Sequence, residues 1–321
     1  MKISQLILTG LSPDSGNRNK ILRRFVGEGF QNVLGAHAVR ELPLERAAPR
    51  ILQETGCDMV LCFGSCLSDQ VDLFSLKSVC EARDIPLVVW LHDDPYEFDA
   101  HEKITGLADV IFSNDRWAVS HYDHRHVFHL PLAASDTAHV RSRTVPEQWD
   151  CFFCGVGFEN RVRMIRDLAD VLERCRTSLS GAEWPEAEWS FCRNRRLSNE
   201  MFADECSRSL VTLNLGRHFH YANERFQLDP STPGPRTFEA AMAGATQLYF
   251  VESLEIEEYY VPGEEIVLFD TVDEFKQIIE SFIEHPNRAR RIGQAAQRRT
   301  LQEHTYQARA SRMLEVLGGL F

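Results

Sequence analysis

The sequence predicts an α/β protein made of two tandem, Rossmann-like, doubly wound units. Three features predict it. The length of 321 residues exceeds one average domain and suits two of roughly 150 residues. The first half alternates short apolar runs with amphipathic stretches. A polar stretch at 136–148, "DTAHVRSRTVPEQ", then separates that half from a second alternating series.

Along the first half, "ISQLILTG" reads as a strand and "NRNKILRRFVGEGF" as an amphipathic helix. "CDMVLCFG", "IPLVVWLHD" and "DVIFSN" are strand-like again, with helices such as "DLFSLKSVCEARD" between them, and "HVFHLPLAA" closes the half. Such alternation builds a parallel sheet with helices on both faces. The second series runs through "WDCFFCGVG", "RVRMIRDLADVLERC", "EWSFC", "RSLVTLNLG", "STPGPRTFEAAMAGATQLYF" and "EIVLF" to a helical C-terminus broken at Pro286. Ligands of such sheets bind at the carboxyl ends of strands, so the cleft between the two domains is the expected site.

Composition narrows the function. The 35 basic and 47 acidic side chains leave a formal charge of −12, which argues against general nucleic-acid binding and against an anionic membrane surface. A local basic pocket stays compatible with it. "MKISQLILTG" has one lysine before a short apolar run and reads as a first strand, not as a signal peptide. No run has the length of a membrane span. Several of the nine cysteines lie in or beside apolar runs, as reduced thiols do, and a cytoplasmic protein is expected.

The stretch from Ser231 to Phe250 carries the most chemistry. Pro233, Gly234 and Pro235 make a stiff turn, and proline suits a first helical position. Phe238, Ala241, Met242 and Ala245 form a core-facing stripe, with Arg236 and Glu239 three apart on its edge. The helix start at Pro235 and Thr237 would offer backbone N–H groups to a phosphate. Glu239 could accept from vicinal ribose hydroxyls and Arg236 could pair with a diphosphate, or the two could form a surface ion pair on an ordinary helix. Arg193, Arg195 and Arg196 after "EWSFC", and Asn214 and Arg217 after "RSLVTLNLG", stand at strand ends where they could add to the same site.

In the first half, His92 ends a strand and is followed by Asp93 and Asp94, candidates for proton transfer or for capping the turn before Pro95. Gly10, Ser12 and Asn17 lie in a glycine-containing loop that lacks a full dinucleotide fingerprint and could border the sugar. His121, His124, His126 and His129 cluster within nine residues, and Cys151 and Cys154 form one isolated C-x-x-C. Neither has the spacing of a zinc or redox site, so no metal is assigned.

"PGPRTFEAAMAGATQLYF" together with "EEYYVPGEEIVLFDTVDEFKQIIESFIEHPNRARRIGQAAQRRTLQEHTYQAR" resembles the C-terminal half of the CgeB-like spore-maturation glycosyltransferases. The likeness rests on an arginine-x-phenylalanine-glutamate helix, a proline-glycine-glutamate segment and the closing "HTYQAR". "WDCFFCGVGFENRVRMI" is similar to the strand, glycine and arginine that open the same domain, and "VVWLHDDP" and "HLPLAA" to pieces of the N-terminal domain. The resemblance covers nearly all of 86–312 and is weakest before residue 57.

It implies the GT-B fold with a family-4-type C-terminal domain: an acceptor-side domain over 1–135, a linker over 136–148, a nucleotide-sugar domain over 149–304, and a last helix over 305–321 packing back on the first domain. It also implies transfer of a sugar from a nucleotide-diphosphate sugar, UDP-linked, to a protein, glycan or small molecule, with no cofactor and no bound metal. Glu239 would hold the ribose; Arg236 and Arg161, which follows the Gly155 turn, would meet the diphosphate, where negative charge develops as the anomeric bond breaks. One departure stands out: Ser231 occupies the place of the first of two glutamates found in retaining relatives, and Asp229 is two residues away. That leaves retention or inversion open, as well as a non-catalytic nucleotide-sugar sensor and a sugar-nucleotide epimerase.

Overall fold

Strands that are apolar along their whole length decide the first sheet. In the computed structural model, which describes residues 3–12, 20–53, 56–65 and 73–321, they are β1 (Leu6–Gly10), β3 (Met59–Gly64) and β4 (Leu87–Leu91), buried at every position. Burial on both faces is what a parallel sheet covered by helices requires. With β2 (Val39–Glu41), β5 (Val110–Ser113) and β6 (Val127–His129) they form a six-stranded parallel sheet in the order β2-β1-β3-β4-β5-β6. The helices are α1 (Lys20–Leu34), α2 (Leu44–Gln53), α3 (Leu73–Ala82), α4 (Phe98–His101) and α5 (Arg116–Val119). The strand order reverses between β1 and β3, so the loops leaving them diverge at their carboxyl ends. Gly10 ends β1 and Ser12 follows it; Asn17 lies outside the described residues.

The chain divides into two compact units, and the first contains more than the N-terminal half. Unit 1 is Met1–Leu132 with His220–Thr232 and Tyr306–Phe321. The 220–232 arm is held by backbone bonds from Tyr221 and Ala222 to the Tyr96 carbonyl, by the Glu224 N–H on Asp99, and by Leu228 in the core. The last helix, α12 (Tyr306–Gly318), lies on α1. They approach so closely that a Cβ on Gly29 would come within 2.5 Å of the Tyr306 carbonyl group. Arg309 fixes α12 by donating to the Pro131 oxygen at 2.9 Å.

Unit 2 is Ala133–Phe219 with Pro233–Thr305. It begins with α6 (Asp136–His139) and continues through β7 (Trp149–Val156), α7 (Glu159–Leu172), β8 (Thr177–Ala182), β9 (Cys192–Arg193), α8 (Asn199–Ser207) and β10 (Ser209–Asn214). It closes with α9 (Pro235–Met242), β11 (Gln247–Phe250), β12 (Val267–Phe269), α10 (Val272–Glu284) and α11 (Pro286–Glu303). Its sheet is also parallel and six-stranded, in the order β12-β11-β10-β7-β8-β9, with the reversal between β7 and β10.

Residues 136–148, expected as a linker, lie within unit 2. Their polarity is spent internally. Ser135 caps α6 through the Ala138 N–H, Arg143 donates to the carbonyls of Gly244, Ser209 and Leu210, and Glu147 receives two 2.8 Å bonds from Arg290.

Candidate functional site

In unit 2 the reversal point brings together the end of β10 and the start of α9. Gly234 is extended (φ −67°, ψ 166°) and Pro235 takes the first helical position, where its missing N–H costs nothing. No side chain caps this end. Asn214, last residue of β10, donates to the Thr237 hydroxyl at 2.9 Å and to Gln247 at 2.8 Å; Gln247 donates in turn to the Thr237 carbonyl. This network fixes the first turn of α9 on the strand ends.

On that turn Arg236 and Glu239 form an ion pair at 2.7 Å, but they are not a surface pair. The Glu239 side chain is 3% exposed and the Arg236 side chain 42%. The Arg236 guanidinium lies over the Phe202 ring at 4.3 Å. Burial works most strongly against its charge, but the surrounding groups, Glu239 foremost, together outweigh it and raise its pKa. His139 of α6 stands behind the pair, its Nε2 3.8 Å from Glu239. Burial lowers the His139 pKa despite that carboxylate, which keeps the imidazole neutral at pH 7. A hollow of about 30 Å³, room for about one water, is lined by Arg161, Asn214 and Arg236 among others.

Arg161 reaches this hollow but is tied to backbone. Its guanidinium donates to the carbonyls of Leu215, Gly216 and Val156 and sits over Phe153 and Phe158. Gly155 lies against it, since a Cβ there would come 2.9 Å from Nη1. Arg193 is on β9, at the far edge of the sheet, where it is exposed and donates to the carbonyls of Ser190 and Cys192. The sheet order therefore keeps it apart from Arg236. Glu252, just past β11, pairs with His218 at 3.3 Å, and burial pushes its pKa up.

In unit 1 the carboxyl ends of β3, β4 and β5 gather a second polar group. His92 is buried, its Nδ1 3.2 Å from Asp93, and its Nε2 has no hydrogen-bond partner among the described residues. Burial opposes its charge, yet Asp93 and Glu97 outweigh burial and raise its pKa. Asp93 is partly exposed. Asp94 is buried, and its carboxylate is taken up within the unit by His101 at 2.6 Å, Ser113 at 2.6 Å and both contacts of the Tyr122 hydroxyl. His101 faces Glu97 on its other nitrogen at 3.5 Å, and Glu97 accepts from Ser65. Burial opposes the His101 charge as well, but Asp94 and Glu97 raise its pKa to about 9.

The histidine cluster is dispersed. His121 contacts the Trp117 carbonyl, His124 the Ala108 carbonyl and His129 the Thr232 hydroxyl. Cys151 and Cys154 are free thiols with pKa values raised by burial. Among the described residues no group of three His, Cys, Asp or Glu is placed to hold a metal ion. His139, His101 and Gln247 were missed by sequence reasoning. His139 sat in the presumed linker, His101 lay in a stretch given no assignment, and Gln247 lay in a run that read as ordinary strand.

Residues 161–315 match the family described as glycosyl transferase-like. Spore protein CgeB of Bacillus subtilis (strain 168) is 20% identical over 245 residues, 70% of this chain and 73% of that protein. Among solved structures, sucrose-phosphate synthase from Thermosynechococcus elongatus superposes with a TM-score of 0.64 at 13% identity, over 99% of both chains. The Anabaena protein HepE, solved with UDP and glucose, gives 0.62 at 13% identity over 98% of this chain and 100% of its own. T4 phage beta-glucosyltransferase gives 0.60 at 10%, over 98% of both. Domain and fold agree: the chain has the GT-B fold, and its residues 161–315 match a glycosyl transferase-like domain. In sequence it is similar to spore protein CgeB. No helix among the described residues is long and apolar enough to cross a membrane.

Proposed function

We propose that unit 2 binds a UDP-linked sugar and that the sugar passes to an acceptor held by unit 1. The observation that carries this reading is the Arg236–Glu239 pair at the uncapped start of α9, anchored through Thr237 to Asn214. Glu239 accepts from the ribose hydroxyls. Arg236 exchanges Glu239 for the diphosphate, which frees one carboxylate oxygen for the ribose. The Pro235 helix start adds N–H groups on the phosphates. Arg161 and Gly155 shape the floor beneath, and Arg193 contributes from the sheet edge at most through its charge.

The anomeric C–O bond to the diphosphate breaks as the acceptor oxygen attacks. His92 Nε2 takes the acceptor proton, and Asp93 on its other nitrogen stabilises the imidazolium formed. Asp94 positions the turn that carries both. Gly10 and Ser12 border the sugar. Fixed cationic groups meet the leaving diphosphate, so the reaction is proposed to run without a metal or other cofactor. The cysteines among the described residues are free thiols, most of them buried, which supports a cytoplasmic setting.

Calorimetry with UDP and UDP-sugars tests the donor site. Glu239→Gln is expected to weaken binding by about 2 kcal/mol, some thirtyfold, with the fold retained. Unchanged affinity in both Glu239→Gln and Arg236→Ala would remove α9 from the donor site. His92→Ala should lower turnover and leave donor affinity alone. Wild-type turnover should rise with pH through a value above the ordinary histidine range, because His92 must be neutral to accept a proton. Transfer that survives chelation completes the test of metal independence.

A further inference from the structure

His139, the last residue of α6, is fully buried and has no part in the transfer step. It lies in unit 2, as do Arg236 and Glu239, the pair it stands behind. The Ser135 N–H points at its Nδ1 at 3.1 Å, and a backbone N–H can only donate, so Nδ1 accepts. The Ser135 carbonyl is 3.2 Å from the same nitrogen but already accepts from the His139 N–H at 3.0 Å. A neutral imidazole held in this way carries its proton on Nε2. That nitrogen is the one 3.8 Å from Oε1 of Glu239.

The two carboxylate oxygens of Glu239 are thus divided. Oε2 receives Arg236 at 2.7 Å, and Oε1 faces His139 across a gap slightly too long for a hydrogen bond. With the side chain 3% exposed, little water reaches it, and a buried carboxylate without a donor is costly. A diphosphate that draws Arg236 away leaves Glu239 in need of another donor, and a shift of about 1 Å brings Nε2–H within reach. The charges around the imidazole act in the same direction. Burial opposes the imidazolium most strongly, Glu239 favours it, Arg236 disfavours it, and Glu200 of the adjoining α8 favours it. Arg141, two residues on, is engaged by Asp204 at 2.6 Å. Withdrawing Arg236 therefore raises the His139 pKa, and the Ser135 carbonyl is in place for the Nδ1–H that protonation creates.

We propose that His139 is a positioning residue of the donor site: its Nε2–H replaces Arg236 on Glu239 when a nucleoside diphosphate takes the arginine, and so holds the carboxylate in place for the ribose. The proposal rests on the donor reading of α9. Because the exchange favours the imidazolium, donor binding takes up protons, and affinity falls as pH rises through the His139 pKa of the complex. Calorimetry of the full-length protein with UDP-glucose, repeated in buffers of different ionisation enthalpy, counts those protons. UDP-glucose lacks the terminal phosphate ionisation that UDP has at about pH 6, so the protons counted belong to the protein. An uptake of up to about one proton per molecule bound is expected near neutral pH. His139→Gln keeps a donor but cannot be charged, so it should hold affinity within about threefold and lose the uptake. His139→Leu should lose the uptake and about tenfold in affinity. Wild-type binding without proton uptake, undiminished uptake in His139→Gln, or unchanged affinity in His139→Leu would each overturn the proposal, and the first needs no variant to fold. Those results leave the donor reading standing, whereas failure of both UDP and UDP-glucose to bind would sink that reading and this inference together.

Discussion

His101 is the residue whose surroundings make the sharpest claim. It is fully buried between Asp94 and Glu97, and its pKa of about 9 is above the ordinary 6.5. A raised histidine pKa stabilises the fold below about pH 6.5 and loses that contribution as pH rises through about 9. Urea denaturation between pH 6.5 and 9.5 should show stability falling by up to about 3 kcal/mol, and His101→Gln should flatten the profile. An unaltered profile in the variant would mean that the proton sits elsewhere. The sequence announced Asp94 as acidic and at a strand end, but not that Ser113, Tyr122 and His101 would consume it. Those partners come from other strands and helices, and only the sheet order brings them together. Glu239 was legible for the opposite reason: its partner Arg236 is one helical turn away, and local spacing is what a sequence records best.

At the level of elements, alternating apolar runs foretold both sheets because parallel strands are buried on both faces and so read as unbroken hydrophobic stretches. Position along the sheet was harder. "EWSFC" and "RSLVTLNLG" look equally strand-like, yet β10 stands at the reversal point and β9 at the far edge, so Asn214 meets α9 while Arg193 does not. The α1 and α12 pairing was likewise beyond local pattern, since a single glycine decides it. Gly29→Ala would push a methyl group into the Tyr306 carbonyl. It should lower stability by about 1–3 kcal/mol in urea denaturation, more than an alanine on the exposed face of α1. A neutral or stabilising result would show that the helices separate without cost.

On the scale of the molecule, the composition of unit 1 departs most from a reading by halves. The chain enters it three times, at 1–132, at 220–232 and at 306–321, and the later entries supply Leu228 to its core and α12 to the face of α1. Polar residues misled here as well: 136–148 looked like solvent-facing linker because its partners, Gly244 and Arg290, are about a hundred residues or more away. A fragment of residues 1–132 should therefore lack a cooperative melting transition. Restoring 220–232 and 306–321 should recover it, and a sharp transition in the short fragment alone would contradict the division into units.

Three separate entries also give the polypeptide a timetable. During synthesis the first sheet can collapse early, but the helix that covers α1 is made only after the whole of unit 2 has been synthesised. Unit 1 is thus begun before unit 2 and completed after it, and until residues 306–321 emerge the α1 face that α12 covers is open to solvent.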